Sequence, residues 1–341
     1  MRILVTGAAG FLGTRLARTL LAGGPISLAG APAQAITALR LTDLFAPPAD
    51  LAADPRVQAV TGDLGTLLAE GRLRLDDVDA VVHLASAVSA DCEADLDLGL
   101  RSNLAGSLAL LQAARQGGIA SGRPPVFVFA SSVAVFGAAP GHALPALIED
   151  EHLPTPQGSY GIQKFMVEQL VADFSRRGLV QGRTVRLMTV AVRPGRPNGA
   201  ASSFVSGMLR EPLAGQRCTV PVAPETAVAL ASPGRTVAGL LAALSTPAAT
   251  WGPPTAVNLP ALTTTVGEMA RTLAALAGPE AAARLDWVPD ARITAIVGGW
   301  PARIAATRAA GLGLQPDASV AELLRAYAAD HPEALAQPLR A

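Results

Sequence analysis

The chain has 341 residues, half of them apolar, with 27 basic and 27 acidic side chains and a formal net charge of zero. That length predicts one large or two ordinary domains, and the apolar share excludes a disordered chain. Neutral charge with only 4% aromatics excludes a nucleic-acid or membrane surface.

Strands are expected at 2–6, 39–42, 57–61, 80–84, 126–130 and 185–192. Between them lie Ala/Leu-rich helical segments near 12–22, 64–71, 95–116 and 159–178. Such alternation predicts an α/β fold, a Rossmann-type doubly wound parallel sheet with helices on both faces. Its strands read as continuous apolar runs because a parallel strand is buried on both sides. Past residue 192 the rhythm loosens and prolines accumulate (Pro194, Pro197, Pro212, Pro221, Pro224, Pro233), as in loops around a pocket. Helical stretches return at 234–246, 266–284 and 318–329. The expected division is a dinucleotide-binding domain over 1–192 and a mainly substrate-binding region over 193–341. A segment near 224–258 is expected to return to the first.

The first strand runs into Gly7-Ala8-Ala9-Gly10-Phe11-Leu12-Gly13 and then a helix. Glycines at these places permit a tight turn, close backbone approach to a pyrophosphate and close helix–strand packing. The helix start adds free N–H groups and a positive dipole end. Asp43 follows the second strand, where a carboxylate accepts from a ribose 2′-OH and repels a 2′-phosphate, favouring NAD over NADP. It stands 30 residues after Gly13 rather than the usual ~20, which implies an insertion around 22–36. Asp63, after strand three, is placed to bind an adenine amino group or to cap the next helix.

The chemistry lies further along. Of 27 basic residues 26 are arginine, and the single lysine, Lys164, follows Tyr160 by four positions. Arginine cannot be deprotonated and presents a fork, so a lone surviving lysine is a candidate for work arginine cannot do. At i, i+4 on a helix Tyr160 and Lys164 share a face, and an ammonium nearby favours the phenolate. Upstream, Phe127-Val128-Phe129-Ala130-Ser131-Ser132 ends a buried strand with a hydroxyl pair, positioned to hold a substrate hydroxyl.

With these residues in hand, the chain resembles the extended short-chain dehydrogenase/reductase superfamily over essentially its whole length. The matching pieces are 6–13, Asp43, Gly62-Asp63-Leu64, His83-Leu84-Ala85-Ser86, Asn103-Leu104-Ala105-Gly106-Ser107, Ser131–Gly137 and the Tyr160/Lys164 pair. The resemblance implies a catalytic set of Ser132, Tyr160 and Lys164, with Asn103 near the cofactor and helping a water relay. It also implies NAD contacts from Gly7, Gly10, Phe11, Leu12, Gly13, Asp43, Asp63, Leu64, Leu84, Ala85, Ser86, Asn103, Tyr160 and Lys164. A homodimer through 95–116 and 159–178 is implied as well.

Two departures narrow it. Where dehydratases of the superfamily carry an Asp-Glu pair this chain has Val133-Ala134, so dehydration lacks its acid and base. The segment Leu230-Ala231-Ser232-Pro233-Gly234-Arg235-Thr236 lacks the aspartate usual in nucleotide-sugar enzymes. Segments 131–137, 193–198, 201–204, 210–215 and 221–226 instead resemble a branch that oxidises the C2 hydroxyl of a four-carbon sugar acid with NAD. A carboxylate substrate needs fixed donors, and arginine supplies bidentate ones. Arg193, Arg196 and Arg210, with Asn198, Ser202 and Ser203, are the candidates.

The alternatives are a nucleotide-sugar 4-epimerase with tightly held NAD, and a non-catalytic NAD-binding sensor or scaffold. No metal is expected: Cys92 and Cys218 have no ligand spacing, and His83, His142, His152 and His331 read as structural. The mean hydropathy of +0.36 comes from alanine, without a spanning run or a signal-length start. A soluble cytoplasmic protein is the expectation.

Overall fold

The computed structural model describes residues 1–138, 141, 143–195 and 200–340. Its strands in chain order are β1 (Arg2–Thr6), β2 (Ala38–Asp43), β3 (Val57–Thr61), β4 (Ala80–His83), β5 (Val126–Ser132), β6 (Gln181–Leu187), β7 (Thr189–Val190), β8 (Cys218–Val220), β9 (Ala227–Ala231), β10 (Val257–Asn258), β11 (Leu262–Thr265) and β12 (Leu285–Trp287). Seven of them form one all-parallel sheet in the order β10-β6-β5-β4-β1-β2-β3. The order reverses at β1, which has β2 on one side and β4 on the other. The crevice beyond the carboxyl ends at that point is where such sheets bind ligands.

Alternating side chains build a core on each face. Ile3, Val5, Leu39, Leu41, Val82 and Val128 pack on Leu16 and Leu20 of the helix Phe11–Ala22 and on Leu240 and Leu244 of the helix Pro233–Ser245. Leu4, Val81, Phe127 and Phe129 point the other way, onto Leu110 and Leu111 of Gly106–Ser121 and Val167 and Val171 of Ser159–Arg176. A third cluster lies beyond residue 190, where Val205, Met208 and Leu209 meet Met269, Leu273, Leu323 and Leu324. Two small sheets, β11-β9-β7 and β12-β8, accompany it.

Three expectations change. The segment 95–116 is not one helix: it runs as Ser89–Ala94, Leu96–Gly99, a π-helical stretch Leu100–Ala105 and Gly106–Ser121. Asp95 stops the first piece in extended backbone and its side chain caps the next, accepting from Leu98 N at 2.9 Å. The strand read at 185–192 begins earlier, at Gln181, and divides at Met188 into β6 and β7, which belong to different sheets. Similarly, 266–284 splits at Gly278, whose φ of +91° ends the helix Val266–Ala277 before Pro279 begins a short one. The extra residues between the first helix and β2 form an antiparallel bridge, Ile26 with Gln34. Ala29 and Gly30 there donate to Leu244 O and Ser245 O, closing the end of the Pro233–Ser245 helix.

Candidate active site

The glycine loop joins β1 to the Phe11–Ala22 helix. Gly7 has φ +68°, and a Cβ there would sit 2.7 Å from Ala85 N at the end of β4. A Cβ on Gly13 would meet Gly7 O, so this turn closes only without side chains. Gly10 caps the helix with no side-chain bond, leaving the first N–H groups without intrahelical partners. This is an anion cradle by geometry and dipole. Asp43 secures it: Oδ2 accepts from Ala9 N at 3.0 Å and Oδ1 from Phe45 N at 3.3 Å. Asp63 is a helix cap, its Oδ1 accepting from Thr66 N at 2.9 Å and Thr66 Oγ1 at 3.0 Å, with Leu64 opening that helix.

A buried relay locks the loop to β4. Ser107 Oγ donates to Asn103 O at 2.5 Å, so it accepts from His83 Nε2 at 2.8 Å. His83 Nδ1 therefore accepts from Thr6 Oγ1 at 2.7 Å, and Thr6 Oγ1 accepts from Ala85 N at 3.2 Å. Full burial, with Lys164 adding repulsion, pushes His83 down to about 3. It stays neutral and structural.

Beside this relay, Asn103 ties the loop after β4 in place. Its Oδ1 accepts from Ser86 Oγ at 3.0 Å and Ala87 N at 2.8 Å. Its Nδ2 donates to Ala87 O, Cys92 Sγ and Gln163 Oε1. Every polar atom of the amide is engaged in fixing the loop after β4 against the Tyr160 helix, so it is a brace.

Tyr160 and Lys164 lie in the first turns of the helix Ser159–Arg176, whose start is held by Glu93 Oε1 accepting from Ser159 N at 2.5 Å. The Tyr160 hydroxyl faces Ser132 and Ser86, both of which favour its deprotonated form. Ser132 ends β5, and its Oγ accepts from Ala134 N at 3.1 Å. Lys164 is buried, donates to Ala130 O at 2.9 Å and lies 4.9 Å from the Phe129 ring and 5.6 Å from the Tyr160 ring.

Burial sets the proton affinities of both groups in the protein alone. Burial drives the phenol up to about 12, and Ser132, Ser86 and the nearby Arg193 only partly oppose it. Burial also lowers Lys164 to about 8, against support from Cys92 and Glu168. Desolvation is the largest cause for both groups.

Arg193 follows β7 and faces this centre. Its Nε donates to Ser206 Oγ at 3.4 Å and its Nη2 to Ser202 O at 3.0 Å, and among the described residues no carboxylate pairs with it. Burial first, then Arg210, lowers it to about 10, while Tyr160 acts in the opposite sense. Arg210 is not a free donor as expected: it gives Nη1 to Arg193 O at 2.6 Å and Nη2 to Glu211 Oε1 at 2.5 Å. Ser202 contributes its carbonyl, and Ser203 opens the helix Ser203–Leu213. Arg196 and Asn198, like His142, lie outside the described residues.

A glycine cradle at the switch point and a Ser-Tyr-Lys cluster at the end of β5 together define a dinucleotide-dependent enzyme acting on a carbon-bound hydroxyl. The chain belongs to the NAD dependent epimerase/dehydratase family, whose pattern it matches over residues 3–230. It is 46% identical over 330 residues to D-erythronate dehydrogenase from Cupriavidus necator, covering 97% of this chain and 98% of that one. The Haemophilus influenzae D-erythronate dehydrogenase is 38% identical over 328 residues, at 96% and 98% coverage. A solved nucleoside-diphosphate-sugar epimerase from Agrobacterium tumefaciens is 37% identical with a TM-score of 0.86, covering 98% of this chain and 95% of that one. No helix among the described residues is long and apolar enough to cross a membrane.

Proposed function

We propose that this enzyme is an NAD-dependent dehydrogenase that oxidises the C2 hydroxyl of D-erythronate to 2-dehydro-D-erythronate. The observation that carries the substrate is Arg193: a largely buried guanidinium with no acidic partner among the described residues, in electrostatic reach of Tyr160. A buried cation of this kind calls for an anion, and a carboxylate next to the reacting carbon supplies it. Arg210 and Glu211 brace the Arg193 backbone, and Ser202 and Ser206 orient its fork.

The residues fit NAD. The cradle of Gly7, Gly10, Phe11, Leu12 and Gly13 suits the pyrophosphate, and Asp43 suits a ribose diol and opposes a 2′-phosphate. Asp63, Leu64, Leu84, Ala85 and Ser86 edge the same crevice, with Lys164 beneath Tyr160. When bound, the cofactor supplies the hydride acceptor and a positive charge. In the working site Ser132 holds the C2 hydroxyl and Tyr160 takes its proton. Lys164, charged below about 8, lowers the cost of the phenolate, whose pKa must fall from its position in the protein alone.

An epimerase reading has less support. The Agrobacterium tumefaciens protein named an epimerase matches over nearly its whole length, but at 37% identity against 46% for the Cupriavidus necator dehydrogenase. The UDP-glucose 4-epimerase of Azospirillum brasilense is covered over only 55% of its length. A panel of four-carbon sugar acids with NAD, followed by NADH absorbance, tests the proposal. No NADH from D-erythronate, with NAD retained through purification, would overturn it in favour of epimerisation. A homodimer belongs to the same reading: Leu96, Leu100, Ile162 and Met166 are exposed on segments that pack together beside the site.

A further inference from the structure

One buried charge pair next to the site has no part in the chemistry above. Glu168 lies one turn beyond Lys164, so Tyr160, Lys164 and Glu168 follow each other at i, i+4 and i+8 along one helix face. Opposite them are three consecutive residues of β5. Ser132 faces Tyr160, Ala130 O accepts from Lys164, and Ser131 Oγ donates to Glu168 Oε1 at 2.5 Å. Two successive turns of the helix are thus fastened to the strand end.

The far side of the carboxylate is fixed as well. Arg186 is the register partner of Ser131 on β6 and donates Nε to Glu168 Oε1 at 2.9 Å and Nη2 to Oε2 at 2.7 Å. Asn258, its own partner on β10, receives Nη1 at 3.4 Å. Both charged side chains are nearly inaccessible. A buried ion pair is a poor source of stability, because desolvation offsets the attraction and apolar residues of equal volume serve as well. Its position therefore calls for another explanation than packing.

We propose that Glu168 is a positioning residue for proton transfer: held by Ser131 and Arg186, its carboxylate keeps the Tyr160–Lys164 helix in register with the strand that carries Ser132 and serves as the fixed counter-charge of Lys164. This rests on the reading of Tyr160 as the proton acceptor. The groups facing Lys164 are few. Cys92 comes from the Ser89–Ala94 helix, neutral His83 from β4, and Tyr160 and Glu168 from its own helix. Glu168 is the one strong acid among them.

Because Lys164 is the only lysine, selective 13C labelling of lysine gives a single side-chain signal whose titration can be followed by NMR without any turnover. In the wild type burial is expected to bring this titration down to about 8. In Glu168→Gln it is expected to move down by roughly one pH unit, and the alkaline limb of kcat to move with it. Ser131→Ala removes one hydrogen bond and no charge. It is expected to leave the lysine titration in place and to lower kcat roughly tenfold through misregistration, with the KM for NAD unchanged. A lysine titration that stays at the wild-type value in Glu168→Gln overturns the proposal. Should that variant not fold, Ser131→Ala decides: wild-type kcat overturns the proposal and the loss supports it. Tyr160→Phe is the separate control. Full activity there would overturn the reading of the site, while the lysine titration would still judge Glu168.

Discussion

The two sides of the crevice are built by opposite means. On the nucleotide side, contacts are backbone-led: the Gly7–Gly13 turn, Asp43 accepting from Ala9 N and Phe45 N, Asp63 capping its own helix. On the proposed substrate side, the group put forward is one long side chain, Arg193, held by Ser202, Ser206 and Arg210 from 9 to 17 residues away. A backbone cradle recognises what every dinucleotide shares, whereas an aimed guanidinium selects one substrate's charge. One chain can therefore keep the first side fixed while the second determines the substrate.

Substitutions that break one side and spare the other sharpen that contrast. The largest effect is expected at the junction: Tyr160→Phe should lower kcat by about 10²–10⁴-fold with NAD still bound, measured by turnover and by NAD titration. On the substrate side, Arg193→Gln should lower kcat/KM for the sugar acid roughly ten- to a hundredfold, the worth of charged hydrogen bonds, and leave NAD affinity unchanged. Arg193→Lys should recover only part of this, since a point charge replaces a fork. Equal losses for the acid and for NAD would mean that the two sides are not separable.

On the nucleotide side, Asp43→Ala should narrow the preference for NAD over NADP by roughly tenfold, because a repulsive charge is removed from a partly desolvated site. It should also weaken both cofactors, since Ala9 N loses its acceptor. Comparable wild-type efficiency with the two cofactors would refute the assignment. The smallest effects concern the frame. His83 has a folded pKa near 3, below its unfolded value, so the unfolded chain binds the extra proton between about pH 6.5 and 3. Stability is present above that window and should fall as pH drops through it, and His83→Gln should flatten the loss in thermal melts. Ile162→Asp should disrupt the proposed dimer in sedimentation, leaving the fold intact, and a wild-type chain that sediments as a monomer would refute that dimer.

The sheet was legible because parallel strands leave long apolar runs, and the predicted 57–61 coincides with β3. The cradle was legible because its glycines answer steric needs within one turn of chain. The breaks in 95–116 were not, since they come from Asp95 capping and a π-helical turn around Asn103 that composition does not announce. Nor was the fate of three arginines with the same letter. Arg193 has no carboxylate partner among the described residues, Arg210 is spent on Glu211 and Arg186 on Glu168. Glu168 carried a signal, four residues after Lys164, but i+4 spacing is common to every helix.

What the sequence determined by itself is whatever depends on local sterics and periodicity: the strand order's raw material, the phosphate turn, and the Tyr160–Lys164 face. Tertiary structure decided the charges. Burial beneath the sheet end raises Tyr160 and lowers Lys164, and strand register brings Ser131 and Arg186 to one carboxylate. The physical reason is that a side chain's proton affinity and its free donors depend on desolvation and on partners far along the chain, and neither is a property of its neighbours in sequence.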